Sequence, residues 1–236
     1  MKNVSRLLLL AMAIAVSGCS DSLSGSSATN SPEVSATRLK DRWIDTEVSK
    51  SASLEGNLLR RNIYLIFDCS GSMDGDKIEI AKKAINQFAT SVPEDMGIGI
   101  AIFDKHGLSE RLPLGINNRK QFNDIVNSAR AGGGTPLSEA VRIGYEALRS
   151  QAKCQLGYGE YHLVIVTDGE ANPGCDPTEM VNQVLQDSPV VIHTIGFRIG
   201  ERHSLNQPGR TIYKDAQSPE GLAEGLQSVL AESEKF

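Results

Sequence analysis

Residues 63–67, Ile-Tyr-Leu-Ile-Phe, form an unbroken apolar run. Such a run, with no polar alternation, predicts a strand buried on both faces. Residues 76–92 place Ile78, Ala81, Ala84, Ile85, Phe88 and Val92 on one helical stripe, and Pro93 stops it. Residues 97–103 predict a second strand. Residues 108–114 predict a shorter one at or near the sheet edge, because Pro113 has no N–H for a ladder. A helix fits 118–130. The glycines at 132–134 permit unusual dihedrals, Thr135 reads as an N-cap and Pro136 as a first helical residue. The helix that follows, to about residue 150, would bury Leu137, Ala140, Val141, Gly144, Ala147 and Leu148. Strands are expected at 161–167 and 190–197 with a helix over 178–186 between them. Residues 211–214 read as a last edge strand. Residues 219–233 close the chain as a helix with Leu222, Leu226, Val229 and Leu230 on its apolar side.

Strands therefore alternate with helices. The fold class expected is α/β, a doubly wound and mainly parallel central sheet with helices on both faces, Rossmann-like in its architecture. Ligands of such sheets bind beyond the carboxyl ends of the strands, at a topological switch point.

The start of the chain breaks this pattern. Lys2 and Arg6 precede an apolar stretch at 7–16, which at about ten residues is too short to span a bilayer. It ends in Val16-Ser17-Gly18-Cys19, which resembles the lipobox of bacterial lipoproteins. That resemblance implies cleavage before Cys19 and lipidation of Cys19, palmitate included. The alternative is an ordinary secretory signal cleaved near Gly18. Acyl chains contribute about 0.8 kcal/mol per buried CH₂, so several would hold the protein on a membrane. Ser20 stands where Asp would signal inner-membrane retention, which favours the outer membrane of a two-membrane cell envelope. Residues 20–37 are rich in Ser, Asn, Asp and Thr and read as a flexible tether. In 38–60, Trp43 and Ile44 either dock on the domain or continue the linker. The organisation expected is a lipoprotein signal peptide at 1–18, tether and domain approach at 19–60, and one folded domain at 61–236.

A net charge of −5 argues against nucleic acid, whose phosphates need basic surface. Three cysteines remain besides Cys19, and an oxidising compartment permits a disulfide. Cys69 with Cys175 is the better placed pair, although Cys69 can equally pack in the core. Cys154 falls at the far end of the 161–167 strand, roughly 23 Å away and beyond disulfide reach.

Candidate chemistry gathers where strands end. Asp68-Cys69-Ser70-Gly71-Ser72 places three oxygen-bearing side chains on alternate residues of a tight turn. Gly133-Gly134-Thr135 and Thr167-Asp168-Gly169 bring further oxygens. Hydroxyls and carboxylates are hard ligands for Mg²⁺, with Mn²⁺ or Ca²⁺ as alternatives. His106, His162, His193 and His203 have no ligand spacing and read as surface or strand histidines. Only Asp68 and Asp168 would bring negative charge. A metal held this way keeps most of its own charge and attracts an external carboxylate, unlike one wrapped in acids as in an EF-hand.

These segments, in this order, resemble the metal-ion-dependent adhesion site of von Willebrand factor type A (VWA) domains. The resemblance covers roughly 62–233. It implies that Ser70, Ser72 and Thr135 coordinate one divalent cation directly or through water, and that Asp68 and Asp168 act mainly through waters. It further implies that a protein partner's Glu or Asp completes the octahedron. Asp74, Asp104 and Glu170 are possible rim residues, with solvation as the plain alternative. For Asp74 and Asp76 the plain alternative is capping of the following helix.

The function expected is a non-enzymatic, metal-dependent protein-binding module for adhesion or assembly, anchored to the envelope by lipid, with no small-molecule substrate. A metal-independent envelope scaffold is the main alternative. A Mg-dependent phosphoryl-transfer enzyme is disfavoured. An Asp at a strand end resembles haloacid dehalogenase phosphatases, but the position two residues on, where their general acid stands, is Ser70. Neither a nucleophile elbow nor a Lys-bearing phosphate loop occurs.

Overall fold

A computed structural model describes residues 43–44 and 56–233. The expected leader, Cys19, the whole tether at 20–37 and most of the approach at 38–60 lie outside the described residues. Six strands form one sheet: β1 (Arg61–Asp68), β2 (Gly97–Asp104), β3 (Gly107–Gly115), β4 (Glu160–Thr167), β5 (Val191–Phe197) and β6 (Ile212–Ala216). Five helices connect or flank them: α1 (Asp76–Ser91), α2 (Arg119–Ser128), α3 (Leu137–Cys154), α4 (Thr178–Asp187) and α5 (Pro219–Ser233). The strand order is β3-β2-β1-β4-β5-β6. All neighbours are parallel except β3, which lies at the edge expected from Pro113 and folds back antiparallel on β2.

The apolar run of β1 occupies the middle of this sheet, and its side chains alternate between two cores. Ile63, Leu65 and Phe67 join Ile85 and Phe88 of α1, Phe122 of α2 and Leu222 and Leu226 of α5. Tyr64 and Ile66 face the other way, onto Val141 and Tyr145 of α3 and Val181 and Val184 of α4. Helix α3 lies close against the sheet at Gly144, where a Cβ would stand 2.4 Å from Leu163 Cδ1. A side chain there would force Leu163 to shift, which favours a glycine inside this helix.

At the N-terminal end of the strands, Asn62 Nδ2 donates to Gln155 Oε1 at 2.8 Å. Gln155 Nε2 donates to the carbonyls of Leu58 and Arg60 at 3.0 and 2.9 Å. This network ties the entry of β1 to the end of α3. Trp43 lies beside Tyr145 and Tyr161, ring centroids 5.6 and 5.2 Å away. Ile44 reaches Gly157. The approach segment thus docks at Trp43 and Ile44 rather than continuing as linker there.

Three expectations need correction. Helix α3 begins at Leu137 with Pro136 at the cap, φ −82° and ψ 61°, so Thr135 precedes the cap and does not form it. The same helix runs to Cys154, past residue 150. Gly75 is the cap of α1, which has no side-chain capping bond, so neither Asp74 nor Asp76 caps that helix. Cys69, Cys154 and Cys175 are free thiols, with Cys69 buried in the core. Among the described residues no helix is long and apolar enough to cross a membrane.

Candidate metal centre

Strands β1 and β4 are neighbours, and the chain leaves them for opposite faces of the sheet, α1 on one side and α4 on the other. Their C-terminal ends therefore flank the switch point of the sheet. Asp68 ends β1, and Asp168 follows the end of β4.

Backbone bonds bring the loops together. Cys69 N–H donates to Phe103 O at 2.9 Å, Gly132 N–H to Cys69 O at 2.9 Å, and Gly71 N–H to Gly133 O at 3.2 Å. Asn172 N–H donates to Thr135 O at 3.1 Å, joining the loop after β4 to the loop before α3. Gly133 makes the approach possible. Its φ is +80°, and a Cβ there would stand 2.9 Å from Asp104 O.

The side chains form one connected set. Asp68 is fully buried; one carboxylate oxygen accepts Ser70 N–H at 2.8 Å and the other accepts the Thr167 hydroxyl at 2.6 Å. Burial pushes the Asp68 carboxyl up from its ordinary range, against the hydrogen bonds from Ser70 and Thr167. Ser72 donates to Asp168 Oδ1 at 2.6 Å. That commits its one proton, so the 3.0 Å contact between the Ser70 and Ser72 hydroxyls has Ser70 as donor. Thr135 is nearly buried, and its hydroxyl makes no hydrogen bond among the described residues.

The other oxygen of Asp168 is taken by a cation. Lys77 Nζ donates to Asp168 Oδ2 at 2.5 Å, and the Asp168 side chain is wholly buried while that of Lys77 is 27% exposed. A buried carboxylate here has a positive partner even with no ion bound. The set of two carboxylates and neutral hydroxyls, with an ammonium drawn into it, fits a hard divalent cation.

The rim residues divide. Asp74 is exposed, its N–H closing a 3-10 turn, Gly71–Met73, onto Gly71 O. Glu170 is exposed and accepts the Ser204 hydroxyl at 3.5 Å. Asp104 is neither solvated nor open rim. It is 4% exposed, and Oδ1 accepts His106 N–H at 2.8 Å and Arg111 Nη2 at 3.0 Å, which fixes the β2–β3 hairpin. Asp76 is exposed and pairs with Arg198 at 3.2 Å.

Sequence reasoning missed Lys77 and His203. Lys77 carried a visible signal, a lone cation in the first turn of a helix, where the macrodipole favours anions. His203 is buried in the loop after β5, neither on the surface nor in a strand. Its Nε2–H donates to Gly169 O at 2.9 Å and its Nδ1 accepts Leu205 N–H at 3.0 Å, so it is the neutral Nε2–H tautomer that braces the loop after Asp168. No spacing in the sequence pointed to it.

Comparison with known proteins places this geometry. The family model for the von Willebrand factor type A domain matches residues 62–222. The uncharacterized protein YwmC of Bacillus subtilis is 29% identical over 165 residues, covering 61% of this chain and 70% of that protein. The uncharacterized protein sll0103 of Synechocystis is 26% identical over 157 residues; the match takes in 66% of this chain but 36% of the relative. Among solved structures, BatB of Bacteroides thetaiotaomicron superposes with a TM-score of 0.60 at 15% identity, over 74% of this chain and 100% of its own. The pilus adhesin SpaC of Lactobacillus rhamnosus GG superposes with a TM-score of 0.59 at 14% identity, over 76% of this chain and 31% of its own. At such identities the superpositions show the shared fold.

Proposed function

Because the chain belongs to the von Willebrand factor type A family, we propose that it is a metal-dependent protein-binding module. Ser70, Ser72 and Thr135 would hold a divalent ion, Mg²⁺ first, directly or through water, and Asp68 and Asp168 would do so chiefly through water. Bound there, the ion would supply a positive charge with a coordination position open to a partner's Glu or Asp. The observation that carries the reading is the hydroxyl chain Ser70–Ser72–Asp168 at the switch point, ending on a carboxylate that already holds a cation.

The roles of the residues follow from their surroundings. Asp68 is anchored by two donors and contributes charge from beneath. Thr167 fixes the orientation of that carboxylate. Ser70 and Thr135 are held by neighbouring loops, and exposed Ser72 stands nearest the solvent side. Nothing in this set positions a general acid beside Asp68, since the residue two places on is a serine, so binding fits the site better than phosphoryl transfer.

The location follows from the Cys19 motif. We place the protein on the bacterial cell envelope, outer membrane favoured, held by lipid on Cys19. SpaC is a pilus adhesin and Mfa5 of Porphyromonas gingivalis is a type V pili tip protein. Domains of this fold thus occur in surface structures, which supports an envelope role in adhesion or assembly.

One observation favours a second reading. Lys77 gives Asp168 a positive partner from within the chain, as a metal-independent scaffold would require. A pull-down from envelope extract, with Mg²⁺ against a chelator and with Ser70→Ala beside the wild type, separates the two. The metal reading expects a partner captured only with Mg²⁺ and only by the wild type. Equal capture with chelator, or by Ser70→Ala, supports the scaffold and sinks the metal bridge.

A further inference from the structure

We propose that Lys77 is a tethered counter-ion of the metal site, competing with the divalent ion for Asp168 and so setting how much ion the site needs to fill. This inference rests on the metal reading above.

Three observations carry it. First, Lys77 sits in the first turn of α1, whose cap Gly75 contributes no side chain and whose amide end favours anions. An ammonium there is misplaced as far as the helix is concerned. Second, the other carboxylates of that turn are engaged elsewhere. Asp76 pairs with Arg198 at 3.2 Å and Glu79 with Lys82 at 2.9 Å. The partner of Lys77 is instead Asp168, 91 residues away, at 2.5 Å. Third, both oxygens of Asp168 already accept a bond. Oδ1 accepts Ser72 and Oδ2 accepts Lys77.

A divalent ion drawn to Asp168 must therefore displace the ammonium or endure it at close range. Either way Lys77 weakens metal binding, because opposite charge on the carboxylate is already satisfied and like charge stands beside the ion. The same lysine stabilises the ion-free protein, where Asp168 would otherwise be a buried charge with only the Ser72 hydroxyl to hold it. Lysine suits this exchange. Its ammonium rides on a flexible four-carbon stem and can swing to water, with the side chain already partly exposed.

The test is Mn²⁺ titration by calorimetry on the full-length protein, with melting temperatures in EDTA and in saturating Mn²⁺. The proteins are wild type, Lys77→Met, Lys77→Gln and Lys77→Arg. The expected result is that the Met and Gln variants bind Mn²⁺ about tenfold tighter or more, while Lys77→Arg stays near wild type. In EDTA the Met and Gln variants melt below wild type, and saturating Mn²⁺ abolishes that deficit. Unchanged or weaker affinity in Lys77→Met overturns the proposal while wild-type Mn²⁺ binding keeps the metal reading alive. An equal melting deficit with and without Mn²⁺ also overturns it, by making Lys77 merely structural. If neither wild type nor Lys77→Met binds Mn²⁺, the metal reading falls and takes the competition with it.

Discussion

Thr167 shows how much of this site is orientation. Its hydroxyl donates 2.6 Å to a carboxylate with no access to water. Thr167→Val keeps the shape and removes the donor. Urea unfolding is expected to show a loss of about 1.5–3 kcal/mol, the range for a bond to a charged group. A loss under half a kilocalorie would mean that Asp68 is held by Ser70 alone. Ser70→Ala removes the hydroxyl-to-hydroxyl bond with Ser72 and the side-chain hydrogen bond of Ser70 to Asp68, so its cost to the fold should be about 1–3 kcal/mol. Mn²⁺ binding by calorimetry should nevertheless vanish, and retained binding would remove Ser70 from the ligand set.

The candidate ligand positions Asp68, Ser70, Ser72 and Asp168 are legible in the sequence because their spacing along the chain encodes a turn and a strand end. Their supports are not. Thr167 was read as part of a motif rather than as the donor to Asp68, a bond that joins adjacent strands. Asp104 reads in the sequence as a loop residue near the same face, rim or simply solvated. Its burial depends on the hairpin folding Arg111 back across it, which no local pattern records. Thr135 looked like a cap, but Pro136 leaves the helical region, and the helix starts one residue later than a proline at its first position would give.

At the scale of elements the apolar pattern was a sound guide. Continuous runs became central strands, and the proline-bearing segment became the edge. What the pattern could not supply was register. His162 and His193 lie on adjacent strands β4 and β5, with Nδ1 of one 3.1 Å from Nε2 of the other. Burial lowers both pKa values, that of His193 to about 3, and the charge of His162 adds to the burden on His193. Glu160 at 3.6 Å and Glu232 at 3.9 Å counter this in part, while Arg61 adds to it. A histidine whose folded pKa is depressed contributes stability that is complete above its unfolded value, about 6.5, and is lost as pH falls below it. Unfolding free energies from urea titrations between pH 7.5 and 5 should therefore decline, by up to about 1.4 kcal/mol per pH unit for each histidine. His193→Gln should flatten that slope, and an unchanged slope would assign the acid sensitivity to carboxylates.

At the same scale, Gly133→Ala tests the loop that joins β1 to the start of α3. Its positive φ and the 2.9 Å clash with Asp104 O predict a loss of about 1–3 kcal/mol. Weakened Mn²⁺ binding should accompany it, because Thr135 rides on the same loop. Full stability in urea would show that the backbone can yield there.

For the whole molecule, the two ends of the sheet have different tasks. One carries the candidate metal centre; the other receives the chain through the Asn62–Gln155 network. Ligand linkage gives a global test. Mg²⁺ at a hundred times its Kd should stabilise the fold by about 2.7 kcal/mol, raising Tm by roughly 5–11 °C for a domain of this size. EDTA should return the melt to its starting point, and no shift at any Mg²⁺ concentration would argue for the scaffold reading.

The position of β1 has a mechanical consequence. A partner gripped at Asp68 and a membrane anchor pulling through Arg61 would load the same strand from its two ends. That strand lies in the centre of the sheet, in register with β2 along one side and β4 along the other. Tension along it would run through the covalent backbone of β1, with a ladder on each side holding the strand in line, so a domain anchored and gripped in this way would carry load without unzipping its sheet.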